Sequence, residues 1–135
     1  MKTTSIAVGI ILNSEKTRVF LTRRLAGSHL AGFWEFAGGK IEPRETPEQA
    51  VIRELKEEVG IVVTQLIPFS TIEHEYPEKR LILHFFLVTR FDGEPCSQEG
   101  QESTWTEISS LPNFNFPEAN QSVIEGLLMQ FAEIK

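Results

Sequence analysis

Apolar and polar residues alternate from the start of the chain. Thr4, Ile6, Val8, Ile10 and Leu12 fall on one side of an extended segment, with Thr3, Ser5, Ala7, Gly9 and Ile11 on the other. A period of two predicts a strand, here with small residues on its second face. Asn13-Ser14-Glu15-Lys16 has the composition of a turn, and Val19 to Arg24 reads as a second strand. Leu81 to Arg90 is a nearly unbroken apolar run, as expected of a strand buried on both faces. Thr71 to Tyr76 would pair with it across a hairpin at Pro77-Glu78-Lys79, and Thr104 to Ile108 is a short strand candidate.

Two segments carry helical signals. Thr46-Pro47-Glu48-Gln49 combines a Thr cap, a Pro at the first helical position and a Gln where a capping box places it. Gly60 supplies the left-handed stop. A second helix runs from about Asn120, with Val123, Ile124, Leu127, Leu128 and Phe131 at helical spacing. Strands interleaved with two helices predict the α/β class, a mixed sheet covered on both faces. With no repeat, low-complexity tract or linker, residues 1–135 read as a single domain.

Composition narrows the function. At 135 residues and 41% hydrophobic, with ten Phe, the chain fills one core and is too apolar for disorder. The run Leu81 to Val88 is too short to cross a bilayer, and no small-residue cleavage site follows Ile6 to Leu12, so neither membrane span nor signal peptide is expected. The lone Cys96 cannot form an internal disulfide, which points to the cytoplasm. A net charge of −6 argues against a nucleic-acid binder but admits a phosphorylated small molecule, provided cations are supplied locally.

The first helix shows where that cation would sit. At 100° per residue, Val51, Ile52, Leu55 and Val59 form the apolar stripe, while Glu54, Glu57 and Glu58 share another arc. Like charges three and four apart repel, and in the last half of a helix the macrodipole disfavours them further. A charged surface face is the ordinary explanation of such a cluster. Its place at the wrong helix end, beside the core stripe, favours a metal face instead. Carboxylates without His or Cys suit Mg²⁺ or Mn²⁺.

Upstream stands Gly38-Gly39-Lys40, and the spacing onward is regular: Gly39, then Glu45, then Arg53-Glu54-Leu55-Lys56-Glu57-Glu58-Val59-Gly60-Ile61. This stretch resembles the Nudix box at every specified position. The resemblance covers nearly the whole chain and is to the MutT-type members, which hydrolyse oxidised purine nucleoside triphosphates. Thr22-Arg23-Arg24, Glu99-Gly100-Gln101 and Phe116-Pro117 with Ala119-Asn120 carry it outside the box. Ala37 departs from it where that family has Pro, and Lys79 where it has Arg, although Arg80 follows.

What the resemblance implies is specific. The fold would be the Nudix α/β/α sandwich. Glu54, Glu57, Glu58 and Glu99, with the carbonyl of Gly38, would ligate Mg²⁺ or Mn²⁺. Arg24, His29, Glu35, Phe36, Ala37, Gly38, Lys40, Lys79 and Asn120 would bind substrate. Water would attack the β-phosphorus, with Glu54 the favoured general base and Glu99 the rival. Arg53 would hold Glu45, against the alternative of a routine i,i+4 pair with Glu57. Arg23 and Arg24, adjacent on a strand, face opposite ways, and only Arg24 would enter the site. His84 is expected to pack within its strand and His74 to lie on the surface. The implied enzyme is a monomeric cytoplasmic 8-oxo-dGTP diphosphatase that cleanses the nucleotide pool and binds neither nucleic acid nor membrane. A nucleotide sugar or dinucleoside polyphosphate as substrate, or a non-catalytic nucleotide-binding module, are the alternatives.

Asn120 has two readings. It is a preferred helix cap. Its carboxamide also matches 8-oxoguanine, whose O6 accepts and whose N7–H donates, whereas guanine presents two acceptors there.

Overall fold

The alternation at the N-terminus forms the strand on which both halves of the core are built. The computed structural model describes residues 2–28 and 30–132. Along the chain come β1 (Lys2–Ile11), β2 (Arg18–Arg23), β3 (Trp34–Glu35), β4 (Ala37–Lys40), α1 (Pro47–Val59), β5 (Val62–Tyr76), β6 (Lys79–Asp92), β7 (Ser103–Glu107) and α2 (Gln121–Phe131). Short 3-10 turns at Ile108–Asn113 and Glu118–Asn120 lead into α2.

Strands β4, β1, β6 and β5 form a mixed sheet in that order. β1 is parallel to β6, with Ala7 opposite His84, and antiparallel to β4, with Val8 opposite Gly38. The expected mixed sheet is present, and beside it β3, β2 and β7 form a second, antiparallel one. Two further differences have local causes. β4 carries the Gly pair, which leaves no hydrophobic period to read. β5 begins at Val62 rather than Thr71 because register shifts between Val63 and Gln65, Gln65 and Leu66, and Pro68 and Ser70 break its alternation.

The two faces of β1 divide the core. Ala7 and Ile11 pack with Val51, Leu55 and Val59 of α1 and with Phe86. Val8, Ile10 and Leu12 pack with Leu21, Phe85 and, from α2, Val123, Ile124 and Leu127. Gly9 lies so close to Leu55 that a side chain there would collide with it, which sets how near α1 approaches the sheet. The helix is fixed at both ends. Thr46 Oγ1 accepts from the Gln49 N–H at 3.1 Å while Gln49 Oε1 accepts from the Thr46 N–H at 2.9 Å. Gly60 closes the helix at φ +75°. Among the described residues no helix is long and apolar enough to cross a membrane.

Candidate active site

Burial of Val51, Leu55 and Val59 fixes the rotation of α1 and thereby directs Arg53 and Glu54 toward β4 and the loop that follows it. Arg53 organises this junction. Its Nε donates to Glu45 Oε2 at 2.7 Å and its Nη2 to Glu45 Oε1 at 2.9 Å, a forked pair. Nη2 also reaches the Lys40 carbonyl at 3.0 Å, and Nη1 reaches Glu54 Oε2 at 3.0 Å and Glu57 Oε1 at 3.5 Å. Both sequence readings of Arg53 are therefore realised, the Glu45 fork at the shorter distances. That fork, with the Glu42 N–H donating to Glu45 Oε1 at 2.9 Å, lowers the Glu45 carboxyl to about 2. The same pairing raises the Arg53 guanidinium above its ordinary range.

The next residue faces an unusual neighbour. Gly39 lies against the Glu54 carboxylate so closely that a Cβ at position 39 would overlap it. On the other side Glu54 shares a hydrogen bond with Glu58. Burial pushes the Glu58 carboxyl up to about 8, aided by that bond and by the charges of Glu54, Glu99 and Glu35. A carboxyl in that range keeps its proton at neutral pH. The pair is a set of oxygen donors held together by a proton, and a divalent cation can take the proton's place. The donor chemistry thus fits Mg²⁺ or Mn²⁺.

The remaining expected ligands stand farther out. Glu57 is exposed, and Glu99 lies on an exposed loop between β6 and β7, near enough for its charge to act on Glu58 and Glu35. Among the described residues no three or more His, Cys, Asp or Glu side chains are gathered closely enough to hold a metal as they stand.

That loop is fastened to the helix. The Gln98 N–H donates to the Glu58 carbonyl at 2.8 Å and the Cys96 N–H to the Val59 carbonyl at 3.0 Å, satisfying carbonyls that a helix end leaves open.

Arg24 and Arg23 diverge, although β2 ends at Arg23 and Arg24 lies just beyond the strand rather than on it. Arg24 Nη1 donates to Glu35 Oε1 at 2.8 Å. Arg23 turns toward Glu102 (3.2 Å) and the Gly32 carbonyl (3.0 Å), its guanidinium 5.8 Å from the centre of the Trp34 ring. Burial raises the Glu35 carboxyl above its usual range, opposed by Arg24 and by a hydrogen bond from Gln101. Sequence reasoning placed Glu35 toward substrate and missed this pairing.

The other expected substrate contacts are more varied. Phe36 is only 3% exposed and stacks on Phe116 with ring centres 5.3 Å apart, while the Ala37 side chain is buried against α1. Those side chains are committed to the core, so this segment offers a ligand chiefly its main chain. Lys40 is exposed. The Lys79 ammonium sits 5.4 Å from the centre of the Tyr76 ring. Arg80 cannot substitute for Lys79, since the next residue of a strand faces the other way; it lies 3.5 Å from Glu73. Asn120 immediately precedes α2, but its side chain makes no capping hydrogen bond, so the side-chain cap reading is not realised. Beside it, Ala119 packs on the core that holds Phe36 and Phe116. His29 lies outside the described residues. His84 is half-buried opposite Ala7 and Thr71. His74, expected on the surface, is half-buried edge-on to Tyr76 at 4.7 Å.

Comparison with known proteins places this arrangement. The family model for the NUDIX domain matches residues 7–126. The 8-oxo-dGTP diphosphatase of Escherichia coli (strain K12) is 50% identical over 127 residues, which span 94% of this chain and 98% of that protein. The 8-oxo-dGTP diphosphatase of Haemophilus influenzae is 44% identical, over 94% and 93%. A solved MutT structure, from work on Aliivibrio salmonicida and Vibrio cholerae, superposes with a TM-score of 0.86 at 44% identity, covering 96% of this chain and all of that one.

Proposed function

Because the chain belongs to the NUDIX family, we propose that it is an 8-oxo-dGTP diphosphatase, which converts the oxidised triphosphate to the monophosphate and pyrophosphate by water attack at the β-phosphorus. The observation that carries this reading is the Glu54–Glu58 pair, two carboxyls sharing a hydrogen bond on the inner face of α1, with Gly39 cleared against one of them. The identity to diphosphatases over nearly the full chain supports it.

Glu54, Glu58 and Glu99, with Glu57 and the Gly38 carbonyl, would hold Mg²⁺, for which Mn²⁺ is the natural substitute. When bound, the ion offsets phosphate charge and makes water more acidic. Glu54 accepts the proton of the attacking water, and Arg53 at 3.0 Å steadies its carboxylate. Arg24 and Lys40 bind phosphate oxygens, Arg24 with Glu35 fixing the direction of its guanidinium. The main chain of Glu35, Phe36 and Ala37 faces the nucleotide, Lys79 borders the base, and Asn120 reads its O6 and N7–H; His29 is assigned to substrate by its place in the sequence alone. As part of the same reading, the enzyme acts on a small molecule rather than a nucleic acid, as a monomer in the cytoplasm. Its role is the removal of oxidised guanine nucleotides before replication can use them.

The test is hydrolysis of 8-oxo-dGTP in ¹⁸O-water with mass spectrometry of both products. The label is expected in pyrophosphate. Label in the monophosphate would place the attack at the α-phosphorus and overturn the mechanism.

A further inference from the structure

Glu99 poses a mechanical problem. It is an exposed residue on the loop joining β6 to β7, and an unrestrained side chain there would lose rotational freedom each time it engaged a cation. The structure contains a restraint. Ser97 Oγ accepts from the Glu99 N–H at 3.3 Å and from the Gln101 N–H at 3.0 Å, closing residues 97–101 around one hydroxyl oxygen. On one side of that turn, the Gln98 N–H is bonded to the Glu58 carbonyl at 2.8 Å. On the other, Gln101 bonds the Glu35 carboxylate, whose partner is Arg24. Gly100, at φ +80°, permits the tight reversal between the two.

The geometry points to Ser97 as a positioning residue that presents Glu99 to the Glu54–Glu58 face. It touches neither phosphate nor cation. Its hydroxyl fixes the backbone from which Glu99 projects, and through Gln101 and Glu35 the same turn is registered to Arg24. The Glu99 carboxylate, on the β6–β7 loop, and the Arg24 guanidinium, just past β2, are thereby set at a fixed relation to the helix. Ser97→Ala removes the acceptor and leaves two loop N–H groups to water; Ser97→Thr retains it.

This inference rests on the metal role proposed above for Glu54, Glu58 and Glu99, and the experiment separates the two. Mn²⁺ affinity is measured by electron paramagnetic resonance on nucleotide-free wild type, Ser97→Ala, Ser97→Thr and Glu58→Gln, with melting temperatures alongside. Ser97→Ala is expected to weaken Mn²⁺ binding about five-fold, at an unchanged melting temperature. Ser97→Thr should restore wild-type affinity. Wild-type binding by Ser97→Ala while Glu58→Gln binds poorly would overturn the role of Ser97 alone. Wild-type binding by Glu58→Gln would overturn the metal face itself. A loss in Ser97→Ala that threonine does not relieve, or that tracks a lower melting temperature, would make the hydroxyl merely structural and likewise overturn the inference.

Discussion

Gly39 on β4 and Glu54 on α1 are in such close contact that no side chain fits between the glycine backbone and the carboxylate. What an added methyl would meet is the far end of a flexible side chain, so the fold can absorb it by turning Glu54 aside. Gly39→Ala is therefore expected to melt within a few degrees of wild type yet lose at least ~10²-fold in kcat, since misplacing a reacting group by about 1 Å costs that much. Matched thermal melts and single-turnover rates check it. Full activity would mean that the Glu54 position seen here is not the working one.

Glu58 makes stability depend on pH in a direction opposite to that of ordinary carboxylates. Its pKa rises from 4.5 to about 8 on folding, so the folded state holds the proton more tightly than the unfolded one. Its contribution is fully present below the unfolded value and is lost as pH rises through the folded one. Metal-free protein should weaken between pH 5 and 8.5 in urea titrations, and Glu58→Gln should reduce that slope, leaving the part due to Glu35. Mg²⁺ should offset the loss in wild type only. An equal slope in both proteins would contradict the shared-proton arrangement.

Arg53 should be irreplaceable by Lys, because an ammonium cannot fork to Glu45 while also reaching the Lys40 carbonyl and Glu54. Arg53→Lys is expected to lower both the melting temperature and kcat. Glu45 adds a pH signature with the usual sign: its carboxyl, lowered from 4.5 to about 2, contributes stability above the unfolded value that is lost as pH falls through the folded one. The gap between wild type and Arg53→Lys should close toward pH 2. A gap that persists there would assign the loss to packing.

Much of this was legible in the sequence, for physical reasons that differ by element. The two faces of β1 were readable because both are buried, each against a different helix, and the period of two survives intact. α1 announced its ends through Thr46, Gln49 and Gly60, whose signals are local. β4 and the start of β5 were hidden, the first by glycines that have no hydrophobic phase, the second by bulges that reset it. Within the site, the Glu face of α1 followed from helical spacing. The Arg24–Glu35 pair did not, since it depends on β2 lying beside β3, a tertiary fact without a local signature. Ser97 is equally silent in sequence, one polar residue in a polar loop. Gly39 had a signal in its fixed distance to the helix, but its contact with Glu54 arises only when β4 packs against α1.

Asn120 separates base reading from helix capping. Since its side chain makes no capping bond, Asn120→Asp should melt like wild type. A carboxylate cannot donate to O6, so the preference for 8-oxo-dGMP over dGMP should collapse, by an amount equivalent to the ~1–3 kcal/mol that an unsatisfied buried partner costs. Calorimetric titration of both nucleotides against both proteins decides it. An unchanged affinity ratio in a folded variant would remove Asn120 from base recognition.

The central claim, that this NUDIX chain selects oxidised guanine, is tested most directly by competition. Wild-type protein is given 8-oxo-dGTP and dGTP together with Mg²⁺, and the ratio of kcat/KM is read from the two monophosphates formed. A site that hydrogen-bonds one base edge and leaves a polar group unpaired against the other predicts a preference of at least ~10²-fold for 8-oxo-dGTP. Equal consumption of the two nucleotides would contradict it.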